Sequence, residues 1–126
     1  VADMRPSTPS TEKLHKGDLP ASMRLENTPD TLLELGNMKA QGQLLVGFAL
    51  ESDTVEESLK SAERKLKRKN LDMIVMNTLS DAGAGFSHDT NKVTILQNVD
   101  GHNTTHVFEL KSKREVAKDI VNLLTF

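Results

Sequence analysis

Lys65 and Lys69 stand four residues apart and lie beside the apolar line Ala62/Leu66 of a helical segment, whereas Arg64 and Arg68 point nearly opposite it. Along a cleft edge the two ammonium groups would act as point charges for a polyphosphate. The alternative is that they lie over the core edge and complement the carboxyl end of their own helix. A second anion-binding feature is Thr28-Pro29-Asp30-Thr31, a helix start with backbone N–H groups, although simple capping uses the same residues. Lys13 and Lys16 flank His15 in a segment that could close over a ligand as lids do, or serve as a plain basic arm. Histidines stand at positions 15, 88, 102 and 106. His102 and His106 follow Asp100-Gly101 and surround Thr104-Thr105, which argues for a turn and a strand. There a four-residue spacing does not make the single helical face that zinc motifs use. Asp89 and Asn91 read equally as a polar cluster or as turn formers. Phe48 beside Gly47 reads as a core aromatic on a close-packed strand.

These residues need elements to position them. Residues 1–20 carry Pro6, Pro9 and Pro20 among serines and threonines, so an arm without regular structure over its length is expected. A short strand is expected at 22–26 and a helix from Pro29 to Ala40 with Thr28 as its cap. The run 44–50 is apolar on both faces and predicts a central parallel strand covered on both sides. Thr54 and Glu57 have capping-box spacing ahead of a helix over 55–69. Acids load its first turn and bases its last, and Val55, Leu59, Ala62 and Leu66 form its core stripe. A buried strand at 72–77 follows, then a polar loop over 81–91. Strands at 93–96 and 106–110 are joined by a turn at Asp100-Gly101. A last helix over 113–124 is capped by Ser112 with Glu115, and its apolar positions are Val116, Ile120, Val121 and Leu124. This order is α/β architecture.

Composition excludes several classes. The 126 residues suit one domain, and 16 Lys+Arg against 18 Asp+Glu give a net charge of -2, so no overall positive field draws a nucleic acid. There is no Trp or Tyr and only 3% aromatic residues, which leaves few stacking platforms. The absence of cysteine removes disulfides, thiolate catalysis and cysteine zinc sites, and fits a cytoplasmic location. No apolar run approaches the roughly 20 residues of a membrane-crossing helix. The chain has no G-x-G-x-x-G or Walker A sequence, so the sheet is expected to be half of a nucleotide-binding domain.

Several pieces then occur in order: Ala2-Asp3-Met4-Arg5-Pro6, Glu12-Lys13-Leu14-His15-Lys16, Asn27-Thr28-Pro29-Asp30, Val46-Gly47-Phe48-Ala49, Arg68-Lys69-Asn70-Leu71-Asp72, Val75-Met76-Asn77, and Gly85-Phe86 with Asp89 and Asn91. Together they closely resemble the phosphopantothenoylcysteine synthetase domain, the ligase half of the bacterial bifunctional coenzyme A biosynthesis flavoproteins. The resemblance runs from Val1 to Phe126 and covers the C-terminal part of that domain.

The resemblance implies a Rossmann-like three-layer sheet domain, incomplete at its N-terminal side and typically homodimeric. It implies activation of 4'-phosphopantothenate by CTP, with magnesium, to an acyl-cytidylate, and then attack by cysteine to give an amide. The family's nucleotide-binding positions fall on Asp3, Lys13, the start Pro29, Asp30, Thr31 and Leu32, Phe48, Lys65 and Lys69, with Lys13 also the functional lysine of an active-site flap over residues 1–20. Metal ligands are not assigned. Met4 replaces the family's usual tyrosine, and Lys13-Leu14-His15-Lys16 replaces its commoner Lys-Ile-Lys-Lys. The family's Gly-rich turn is expected upstream of Val1, where a flavin-dependent decarboxylase half is either fused or absent, and FMN binding is not expected of these residues. Three functions are therefore carried forward: the ligase, a noncatalytic nucleotide-binding or dimerisation fragment of it, and an interaction module using the basic arm.

Overall fold

The computed structural model describes residues 2–18, 20–51, 54–78 and 89–124. It divides into two compact units, Val1–Thr31 and Leu32–Phe126.

In the first unit, strand β1 (Met4–Pro6) pairs antiparallel with β2 (Leu25–Asn27), Met4 opposite Asn27 and Pro6 opposite Leu25. The ladder is continued on one side by Ser7 N–H donating to the Arg24 carbonyl at 2.9 Å, and on the other by Thr28 N–H donating to the Asp3 carbonyl at 2.9 Å. Regular structure thus occurs inside the stretch expected to lack it. A partner some twenty residues away supplies hydrogen bonds that local propensity does not reveal, and a two-stranded ladder tolerates Pro6. From there to Asp18 the chain makes turns: the Ser10 hydroxyl donates to the Glu12 carbonyl at 2.8 Å, and Asp18 N–H donates to the His15 carbonyl at 2.9 Å.

The second unit continues with α1 (Thr31–Asn37), β3 (Val46–Glu51), α2 (Val55–Arg68), β4 (Met73–Thr78), β5 (Thr90–Asn91), β6 (Val93–Val99), β7 (His102–Val107), β8 (Lys111–Ser112) and α3 (Lys113–Leu124). Helix α1 is shorter than the expected 29–40. Thr28 is engaged in the first unit, where its hydroxyl donates to the Ala2 carbonyl at 2.5 Å, so Asp30 rather than Thr28 precedes the first helical residue. Four strands form one sheet in the order β3-β4-β6-β7, with β3 parallel to β4 and the other neighbours antiparallel. Alternation along the strands makes two cores. Ile74, Met76 and Leu96 pack with Ala62 and Leu66 of α2 and with Leu71. Met73, Val75, Val93 and Ile95 pack with Val116 of α3 on the opposite face. The sheet is therefore the middle of three layers, the Rossmann-like arrangement.

Helix caps follow the sequence closely. Glu57 N–H donates to the Thr54 hydroxyl at 3.4 Å, which itself donates to the Glu57 carboxylate at 2.7 Å. At α3, Glu115 N–H donates to the Ser112 hydroxyl, and the Glu115 carboxylate accepts from both the hydroxyl and the N–H of Ser112. Helix α2 stops in a left-handed turn: Asn70 has φ +52°, its N–H donates to the Lys67 carbonyl at 3.3 Å, and Leu71 N–H donates to the Leu66 carbonyl at 3.0 Å. This double bond pattern caps the last carbonyls, and the Leu66–Leu71 pair seals it within the first core. The β6–β7 hairpin turns on Asp100 and Gly101, both with positive φ (51° and 83°), as a tight two-residue turn requires.

Three expectations about burial are corrected. Among the described residues strand β3 is at the edge of the sheet, with one neighbour rather than two, and Leu44, Phe48 and Leu50 are exposed. Val55 is exposed because the buried line of α2 is Ser58, Ala62 and Leu66 and ends one turn short of it. On α3, Leu123 rather than Val121 joins Ile120 and Leu124 against the core, since positions 116, 120, 123 and 124 share one face. Strand β7 runs from His102 to Val107 rather than over 106–110, because its residues are mostly polar and exposed on an edge strand of the described residues and carry no hydrophobic signal.

Candidate functional site

In the first unit, Asp3 and the segment Thr28–Thr31 are brought together by backbone bonds. The Asp3 carbonyl accepts from Thr28 N–H at 2.9 Å, and Thr31 N–H donates to the Pro29 carbonyl at 3.0 Å. Asp3, Lys13 and Lys16 are exposed. Beside them an ion pair between Arg5 Nε and Glu26 Oε1 (2.8 Å) joins β1 to β2 at the surface, where such pairs contribute little.

In the second unit the residues implied by the resemblance separate into two groups. Lys65 lies on the α2 side of the sheet, and its Nζ donates to Oε1 of Glu51 at 2.5 Å. Glu51 ends β3 on the same face as Ala49, which packs on the first core. Phe48 alternates to the opposite face, the face of Val46 and the second core, with 70% of its surface exposed. No helix of the described residues buries it, so it is not a core aromatic. Gly47, between them, is close-packed as expected: a Cβ there would lie 2.9 Å from Leu71 Cδ1 and 3.0 Å from Leu32 Cδ2. Leu32 is thus engaged by its side chain in the first core, leaving only its backbone for a ligand.

Lys69 caps the carboxyl end of α2, its N–H donating to the Lys65 carbonyl at 2.9 Å. Its own carbonyl is met by α1, since a Cβ on Gly36 would lie 1.9 Å from that oxygen. Around this junction runs a set of residues that the sequence did not single out for function. Asn70 Nδ2 donates to the Gly36 carbonyl at 3.0 Å. Lys39 Nζ donates to the Asn70 carbonyl at 3.2 Å and to Asp72 Oδ1 at 2.7 Å, and Asp72 Oδ2 accepts from Leu45 N–H at 2.6 Å. The clasp fixes α1, the approach to β3 and the end of α2 relative to one another. Asn after a basic helix end is its one local signal; the remaining partners are some 30 residues apart in sequence.

At the carboxyl end of β4, Asn77 accepts from Asn91 Nδ2 at 3.0 Å, which ties the β5 region to the parallel strand pair. Asn91 is thereby a tether. Phe86 and His88 and the loop over 81–88 lie outside the described residues. Among the described residues no group of three or more His, Asp or Glu side chains could hold a metal ion, and no helix is long and apolar enough to cross a membrane. Ligands of open α/β sheets collect outside the carboxyl ends of parallel strands, and Glu51, Lys65 and Asn77 stand at that end of β3 and β4.

A three-layer α/β domain with a lysine held at the carboxyl end of its parallel pair is the class that the fold and site define. The chain belongs to the family described as the DNA/pantothenate metabolism flavoprotein C-terminal domain, which matches residues 1–125. It is 42% identical over 121 residues to the coenzyme A biosynthesis bifunctional protein CoaBC of Bacillus subtilis, covering 96% of this chain and 28% of that protein. It is 51% identical over 121 residues to a cysteine/cysteine sulfinic acid decarboxylase of an unknown prokaryotic organism, covering 96% of this chain and 32% of that protein. The chain thus spans about a third or less of the length of these relatives. Among solved structures, the C-terminal domain of a coenzyme A biosynthesis bifunctional protein CoaBC matches with a TM-score of 0.63 at 42% identity, over 79% of this chain and 44% of that one. The DNA/pantothenate metabolism flavoprotein of Streptococcus pneumoniae shares the fold, with a TM-score of 0.66 at 19% identity, over 98% of this chain and 58% of that one.

Proposed function

We propose that this chain is the C-terminal part of a phosphopantothenate–cysteine ligase of coenzyme A biosynthesis. The carboxylate of 4'-phosphopantothenate attacks the α-phosphorus of CTP, releasing pyrophosphate and leaving an acyl-cytidylate. The cysteine amine then attacks the acyl carbon, and CMP departs as 4'-phosphopantothenoylcysteine forms. The observation that carries this reading is the family membership over 1–125 together with a lysine anchored at the carboxyl end of β3, where a nucleotide phosphate would sit.

In this reading Asp3 and the start Pro29, Asp30, Thr31 and Leu32 hold the nucleotide, the exposed ring of Phe48 offers a face for a base, and Lys65 and Lys69 meet phosphate oxygens. Lys13, in the flap over 1–20, is the catalytic cation that offsets charge on the acyl-cytidylate and pyrophosphate oxygens. Magnesium enters as part of the CTP substrate, and an ion carried by phosphates needs only one or two carboxylates of the protein. In this reading the protein acts in the cytoplasm as a homodimer, and a flavin-dependent decarboxylase half is the partner domain proposed for a fusion.

The second reading is a noncatalytic nucleotide-binding or dimerisation piece of that enzyme. The decarboxylase name belongs to a relative of which this chain covers 32%, and the name does not say which part performs that reaction. The two readings part on Lys13→Ala in the full-length protein, with pyrophosphate release and amide formation measured together. The ligase reading expects kcat to fall about 100-fold while the Kd for CTP moves less than about threefold. Wild-type kcat in that variant would refute it.

A further inference from the structure

Among the described residues Glu51 is the one charged residue that is buried, with 8% of its side chain exposed. A buried carboxylate requires a partner, and here the partner is Lys65, whose side chain is 36% exposed. The pair straddles the surface, with the carboxylate inside and the ammonium at the boundary. Ordinary surface pairing looks different: Lys60 and Glu56, one turn apart on the same helix, are 65% and 79% exposed. A lysine ammonium carries three N–H donors. Glu51 accepts from one of them at the carboxyl end of β3, and the side chain that carries the other two is still partly exposed.

Two properties follow from this geometry. A lysine on a helix face samples many rotamers and loses that freedom when it binds an anion. A fixed acceptor at 2.5 Å selects one arrangement in advance, so that freedom is already lost before a ligand arrives. The acceptor also belongs to a strand, the more rigid element, while the lysine belongs to the helix that crosses over to β4. The contact therefore registers α2 against the end of β3.

We propose that Glu51 is a positioning residue: its buried carboxylate holds the Lys65 ammonium at the carboxyl end of β3, oriented to receive the polyphosphate of a nucleotide. The polyphosphate part of this statement rests on the ligase reading above; the positioning part rests on the pair itself.

The test uses the full-length protein and four forms of it: wild type, Glu51→Gln, Lys65→Met and the double variant. Thermal midpoint, KM for CTP, kcat, and the Kd for inorganic tripolyphosphate are measured for each. Glu51→Gln is expected to raise both KM for CTP and Kd for tripolyphosphate about tenfold with kcat changed much less, because the misplaced ammonium weakens binding. Lys65→Met is expected to do the same, and the double variant to be no worse than Lys65→Met, since the two side chains act as one unit.

Unchanged KM and Kd in a Glu51→Gln protein of lower thermal midpoint would make the pair purely structural and overturn the proposal. So would tighter tripolyphosphate binding, which would mean that Glu51 only neutralises Lys65, or effects that add in the double variant. Should Glu51→Gln not fold, Glu51→Asp, which withdraws the carboxylate by one methylene, is expected to raise the tripolyphosphate Kd severalfold, and a wild-type value there overturns the proposal. Wild-type protein that binds tripolyphosphate but does not turn over CTP refutes the ligase reading alone, and the Kd series still decides on Glu51. Wild-type protein that binds neither refutes both.

Discussion

Replacing Gly36 by alanine sets two opposing effects against each other. Gly36 lies inside α1, where alanine is the better helix former by about 1 kcal/mol, so propensity alone predicts stabilisation. The packing predicts the reverse. The new Cβ would lie 1.9 Å from the Lys69 carbonyl oxygen and 2.7 Å from its carbon, both backbone atoms that cannot rotate away. Ordinary non-bonded separations between carbon atoms are about 3.5–4.0 Å, so α1 must back away from the end of α2 by well over an ångström. That displacement stretches the Asn70-to-Gly36 bond of 3.0 Å and pulls on the Lys39–Asp72 clasp. Overpacking costs about 1–3 kcal/mol and a lost hydrogen bond about 1 kcal/mol more, so the net effect after propensity is a loss of about 2 kcal/mol. For a chain of this size that lowers Tm by about 5–10 °C in a circular-dichroism melt. Gly17→Ala, where nothing lies within 4 Å, is the control and stays within about 0.5 kcal/mol of wild type. A Gly36→Ala protein as stable as wild type, or more so, would refute the close approach of α1 to Lys69.

Three other perturbations follow from the same contacts. Asp72→Ala strands the half-buried Lys39 ammonium and the Leu45 N–H, and is expected to destabilise by about 1–3 kcal/mol in urea unfolding, with Asp72→Asn losing less. Phe48→Ala is expected to leave stability within about 0.5 kcal/mol, because the ring is 70% exposed, while weakening nucleotide binding; a loss of several kcal/mol would show the ring to be core. The Glu115 carboxyl is held below its ordinary value, first by the hydrogen bond from the Ser112 side chain and then by the Ser112 N–H. A pKa lower in the folded state gives stability that is present above the unfolded value, about 4.3, and lost as pH falls through the folded one. The thermal midpoint should therefore decline in that acid window, and less so in Ser112→Ala; identical pH profiles would contradict the capping assignment.

What could be read from the residues was whatever is local. Thr54 with Glu57 and Ser112 with Glu115 announce helix starts within four residues, and Asp100-Gly101 announces a hairpin within two. What escaped depends on distant partners. Met4–Pro6 becomes a strand only because Leu25–Asn27 lies beside it. The apolar run ending in Leu50 looks the same whether a strand is central or at an edge; Phe48 and Leu50 share the face of Val46, yet the second core reaches only as far as Val46. Glu51, following that run, reads as a strand end; its meaning comes from Lys65, fourteen residues on and a layer away. The alternation Gly47, Ala49, Glu51 could have placed it on the α2 face. The identity of Lys65 and Lys69 as cationic candidates was visible in helical spacing, whereas the clasp of Gly36, Lys39, Asn70 and Asp72 was not, since each bond in it spans about 30 residues.

The central claim is that a cytidine nucleotide is activated at a site to which these residues contribute. Calorimetric titration of the full-length protein with CTP and, separately, ATP, each with magnesium, tests it most directly. The account predicts saturable binding of CTP and at least about tenfold weaker binding of ATP, a difference of about 1.4 kcal/mol. Equal binding of the two, or binding of neither, would contradict it.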